Sequence, residues 1–202
     1  MHSPQNATLL AAIAGRADLT TGIRIAGVCF MTILTAAAAQ ISIPLPFTPV
    51  PLTLQPMIVL LGGAALGSRL GMTSQILYLF AGAAGLPVFA ASPTLPSGIF
   101  RLLGPTGGYL MAYPFAAFLT GWLAERGFDR RYFTSVLAMA AGLAVIFTCG
   151  IMWLAWFAAP SGVGLSRALT VGFYPFVGVD VVKLLLAAAV LPSTWWMVDR
   201  NR

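Results

Sequence analysis

From Ile25 to Ser68 the chain carries no charged side chain. A bilayer core is spanned by about 20 helical residues, so this stretch is too long for one crossing and suits two. The division falls at Pro44, Pro46, Pro49 and Pro51, because each ring removes a backbone donor and clashes with the preceding turn. The rest of the chain is similar in character, with 59% hydrophobic and 8% charged residues and a mean hydropathy of +0.90. Soluble domains carry about a quarter charged residues. The expectation is an all-α integral membrane protein with six transmembrane helices, since 202 residues hold six spans and no large soluble domain.

The spans are expected at 23–41, 52–67, 70–86, 108–123, 135–158 and 169–197. They form one membrane domain over 23–198, between an N-terminal segment 1–22 and a tail 199–202. The short apolar run from Thr8 to Gly15 lacks a preceding basic region, so it reads as a frayed or interfacial helix and not a cleaved signal. Two connections are long, apolar and rich in Pro or Gly: the proline segment, and the stretch from Ala91 to Gly108.

Six spans put both termini on one side. Of the eleven basic residues, only Arg101 and Arg167 fall on the other side, and Lys183 lies within a span. The positive-inside rule therefore places both termini in the cytoplasm of a cell-membrane protein, with the long connections outside as a lid over an outward pocket. Trp122, Tyr132, Trp195 and Trp196 read as inner interfacial anchors, Trp153 and Trp156 as outer ones. The net charge of +6 follows the loops, without the basic and aromatic clustering of a nucleic-acid binder. Cys29 and Cys149 lie in apolar segments and form neither a CxxC motif nor a disulfide framework. With His2 as the one histidine, no metal site is expected.

The polar residues within the spans are few: Gln40, Gln55, Gln75, Tyr78, Tyr109, Asp180 and Lys183. Asp180 and Lys183, three residues apart, leave one helix face together. A charge at mid-bilayer costs at least about 2.5–3.5 kcal/mol, so the pair points into protein or a wet cavity. It is either a structural ion pair or part of a binding site. Gln55 and Gln40 flank the proline segment and suit either interhelical hydrogen bonding or ligand contact. The Gly104–Tyr109 turn, with Gly107 and Gly108, is either a plain helix entry or a close backbone approach to an anion. Arg101 is either a cation at the mouth or a solvated loop charge. No nucleophile, base and orienter assemble in the sequence, so an enzyme is not expected.

The segments Ala39–Gln55, Tyr78–Phe89, Leu103–Tyr109 and Asp180–Lys183 together resemble the BioY family of biotin-uptake proteins, across nearly the whole chain. The resemblance implies the S-component fold of energy-coupling-factor transporters, with high-affinity capture of biotin. Its implied partners are a transmembrane coupling protein and two ATPase subunits; no Walker motif occurs here, so ATP hydrolysis is theirs. A homo-oligomer is left open, as is a solitary ion-coupled carrier. No cofactor is expected on this chain. The implied site comprises Asp180, Lys183, Tyr109, Gly107, Gly108, Tyr78, Gln55, Gln75 and Arg101. The ureido ring is expected near Asp180 and Lys183, and the carboxylate near Arg101. S components dock through small residues on their first helix, and here Thr32/Ala36 and Thr35/Ala39 fit that spacing.

Overall fold

Thr20 caps helix α2, Thr21–Gln40, which occupies the first half of the charge-free stretch. It is preceded by a short α1, Leu9–Ile13, in which Leu9, Ala11 and Ala12 are buried. The computed structural model describes residues 8–14, 19–91, 98–158 and 162–200. Beyond α2 come strands β1 (Ser42–Ile43) and β2 (Leu52–Thr53), then α3 (Gln55–Leu66), α4 (Ser68–Ala83) and the single turn α5 (Phe100–Leu103). The chain continues with α6 (Gly107–Ala124), α7 (Tyr132–Trp156), α8 (Leu165–Gly172) and α9 (Tyr174–Arg200).

The proline segment is tied at its base by antiparallel pairing of Ser42 with Thr53 and Ile43 with Leu52. Prolines cannot donate to a ladder, so pairing stops there and residues 44–51 form an open strap. Pro56 then sits in the first turn of α3, where its missing donor costs nothing. At 12 residues α3 is only about 18 Å long, well short of a bilayer core. It ends at Gly67, whose φ of +87° lets the chain reverse directly into α4.

Thr21–Gln40, Tyr132–Trp156 and Tyr174–Val198 are long and apolar enough to cross a membrane. The protein is mostly helical and, by these segments, a membrane protein. Helix α6 lies at the centre, packed against α3, α4 and α7. Small residues make that possible: a Cβ on Gly63 of α3 would collide with the Ala117 carbonyl of α6.

Three features differ from the sequence expectation. The last span is divided, with α8 ending at Phe173 and α9 starting afresh, because Pro175 is tolerated only in a first turn. Thr35 and Ala39 are fully buried, and Thr32 bonds the Ser74 carbonyl of α4 at 2.9 Å. This small-residue set therefore faces inward, while Phe30 and Ile33 occupy the outer face of α2. Trp195 is buried as well: its indole N–H donates to Asp129 at 2.6 Å, and Arg130 stacks on its ring. Glu125, in the same α6–α7 connection, accepts from both N–H and hydroxyl of Ser68 at 2.7 and 2.9 Å. A carboxylate there satisfies a donor that the start of α4 leaves open.

Candidate ligand cavity

The strap covers a cavity of about 780 Å³. Pro44 to Thr53 form its roof, and Tyr109, Leu110 and Tyr113 of α6 form one wall. Ile146 and Phe147 of α7 face them, with Phe89 from the segment after α4. Val171 of α8 and Phe176 and Asp180 of α9 complete the lining. The volume suits a small organic ligand, and the walls are mainly aliphatic and aromatic with a few placed polar groups.

Asp180 is a buried polar group on this lining. Its Oδ1 accepts from Lys183 Nζ at 2.8 Å, and the same ammonium donates to the Thr53 carbonyl at 2.7 Å. Lys183 borders a separate void of about 10 Å³ between α3, α7 and α9. The carboxylate thus meets the main cavity while the ammonium stands behind it and anchors the base of the strap.

Gln55 also lines the cavity, and its amide donates to Tyr78 Oη at 2.6 Å. Tyr78 lies behind this wall, donating in turn to the Val88 carbonyl at 3.2 Å and meeting Phe89 edge to face. Tyr109 presents its ring to the cavity and donates its hydroxyl to the Gly172 carbonyl at 2.8 Å. Arg101 reaches the rim from α5 with one guanidinium N–H on the Ala90 carbonyl at 2.8 Å. Partial burial lowers its pKa, since desolvation works against the charged form.

The remaining sequence candidates lie elsewhere. Gly107 and Gly108 pack against Leu102 and Trp153, where a Cβ would collide with those neighbours. Trp153 reinforces the junction by donating to the Gly104 carbonyl at 2.9 Å. Gln75 is fully buried between α4 and α2, donating to Thr35 and Ser74 at 3.2 and 3.1 Å. Gln40 is exposed and donates to the Pro87 carbonyl at 3.2 Å. Among the described residues, no cluster of His, Cys, Asp or Glu has the make-up of a metal site.

Residues that motif reading passed over complete the site. Phe147, Phe176, Thr48 and Arg167 all line the cavity. One signal was present in the repeated Tyr-Pro-Phe triplet. Tyr113 and Phe176 turn inward from its two copies, whereas Phe115 and Tyr174 are exposed.

A family model described as the BioY family matches residues 11–200. The chain belongs to the BioY family. Among similar BioY proteins, one from Pyrococcus horikoshii, described as a probable biotin transporter, is 43% identical over 81% of this chain and 90% of its own. A biotin transporter of Thermotoga maritima is 40% identical over 79% of this chain and 88% of its own. The crystal structure of the S-component for biotin from an ECF-type ABC transporter superposes with a TM-score of 0.75. It is 26% identical and aligns over 87% of this chain and 94% of that one.

Proposed function

We propose that this BioY protein is the biotin-capturing S component of an energy-coupling-factor transporter, working with a transmembrane coupling protein and two ATPase subunits. The carrying observation is the strap-covered cavity lined by the Asp180 carboxylate, within a chain of this family. Biotin has a ureido bicycle with two N–H donors and one acceptor, an apolar chain and a carboxylate tail. Asp180 accepts from the ureido N–H groups, Tyr109, Phe147 and Phe176 enclose the apolar body, and Arg101 at the rim takes the carboxylate. In this reading Lys183, Tyr78 and Gln75 hold the site's shape from behind, and Gly107 and Gly108 set the entry of α6.

The six crossings are α2, α3, α4, α6, α7 and α9, with both termini cytoplasmic and the strap outside. In a protein freed of Cys29 and Cys149, a cysteine at exposed Arg126 then labels from the cytoplasm and one at exposed Ile99 from outside. Arg126 serves better than buried Asp129, and Ser97 lies outside the described residues. The opposite labelling pattern overturns the orientation.

Uptake of labelled biotin into cells carrying this chain, with an active or a hydrolysis-dead ATPase module, tests the function. Uptake that stops with the dead module supports the S-component reading. Uptake that persists and follows the proton gradient assigns a solitary carrier instead.

A further inference from the structure

The rim of the cavity carries more positive charge than its interior balances. Its ionisable lining residues, among those described, are Arg101, Arg167 and Asp180. Asp180 is already compensated by Lys183 at 2.8 Å, so two guanidiniums remain without an acidic partner on the lining. They come from separate elements, α5 and α8. Arg101 is half-buried and holds the Ala90 carbonyl. Arg167 is exposed and makes no hydrogen bond or ion pair with a described residue.

The placement of Arg167 is built into α8. Arg167 and Val171, four residues apart, share one helix face, and both line the cavity. The end of α8 is fastened to the site twice. Thr48 of the strap donates to the Val171 carbonyl at 2.6 Å, and Tyr109 donates to that of Gly172 at 2.8 Å. Arg167 therefore stands one turn from a fixed point, beside the edge of the strap. An exposed, unengaged guanidinium there is suited to the anionic end of a ligand whose neutral body lies deeper.

We propose that Arg167 is a specificity-determining residue, supplying with Arg101 a two-sided cationic rim that selects ligands with a free carboxylate tail over neutral tail amides. The proposal rests on the biotin reading above. A free acid gains charge-assisted contacts at the rim, whereas an amide presents no charge to either guanidinium.

The test is titration of the purified full chain in lipid nanodiscs with biotin and with biotinamide, its neutral tail amide. Arg167→Gln is expected to weaken biotin binding by about 3- to 10-fold, the range for a solvent-accessible charged contact. Its affinity for biotinamide should stay unchanged, so the preference for the acid shrinks. Arg167→Lys keeps the charge and should keep most of the preference. Equal weakening for both ligands, no weakening for either, or a Lys variant that behaves like Gln would each overturn the proposal. Should Arg167→Gln fail to fold, the comparison of Arg167→Lys with Arg167→Glu decides it, a larger loss for biotin than for biotinamide with Glu being required. An unmodified chain that binds neither ligand overturns the biotin reading, and this inference with it.

Discussion

Lys183 Nζ lies 2.7 Å from the backbone carbonyl of Thr53, a residue 130 positions earlier in the chain. The ammonium thereby joins α9 to the foot of the strap while it neutralises Asp180. Replacing Lys183 by Met alone leaves a buried carboxylate uncompensated, at a cost of about 3–5 kcal/mol. Combining it with Asp180→Asn removes both charges and should restore most of the melting temperature in detergent. A residual loss of about 1 kcal/mol is expected from the unpaired Thr53 carbonyl. Biotin binding should stay lost in the double variant, because an amide replaces the acceptor carboxylate. Near-normal affinity there would show the pair to be scaffold only.

The hydroxyl of Thr48 fastens the strap to α8 through the Val171 carbonyl. Thr48→Val keeps the shape and removes that bond, worth about 0.5–1.5 kcal/mol. Biotin should then dissociate roughly 2- to 10-fold faster, with little change in melting temperature. Stopped-flow dissociation is the measurement, and an unchanged rate would count against the strap as a cover.

Gly108 packs against the Trp153 side chain, and a Cβ there would also stand 2.6 Å from the Cys149 carbonyl. Gly108→Ala should destabilise the α6–α7 contact by about 1–3 kcal/mol, while folded protein keeps its biotin affinity. The opposite outcome, lost affinity with unchanged melting, would put this glycine in contact with ligand.

In the α6–α7 connection, burial raises the pKa of Asp129 above its ordinary value, opposed by the Trp195 hydrogen bond and by Arg130. A raised folded-state pKa means a contribution fully present below the unfolded value and lost as pH rises through the folded one. Relative to Asp129→Asn, the unmodified protein should therefore lose stability as pH climbs out of the ordinary carboxylate range toward neutrality. Melting temperatures of both proteins from about pH 4 to 7.5 would show it. Parallel curves would mean that Asp129 has no such linkage.

The helical, membrane-inserted character was legible because it rests on apolar runs and proline breaks, which are local properties. The Asp180–Lys183 pair was legible for the same reason, as spacing along one helix sets its geometry. The wall residues were not. Phe147 and Val171 belong to apolar runs in which every position looks alike, and only packing decides which side chain meets the cavity. Gln75 illustrates the converse: its polarity suggested a ligand contact, yet Thr35 and Ser74 engage its amide between helices. The inward turn of Thr35 and Ala39 likewise depends on where α4 lies, which spacing along α2 does not encode.

The strap has a mechanical consequence. Its prolines bring no N–H groups, and two of the remaining ones are satisfied within it, Thr48 N–H by the Leu45 carbonyl at 3.3 Å and Val50 N–H by the Thr48 hydroxyl at 3.1 Å. Swinging away from α8 would therefore strand few peptide donors beside an apolar phase, where each would cost several kcal/mol. Ring-locked torsions also leave little backbone freedom to surrender when it shuts. The cover behaves as a stiff flap hinged at a two-residue ladder and held by a single hydroxyl, so it can release its contents without unfolding.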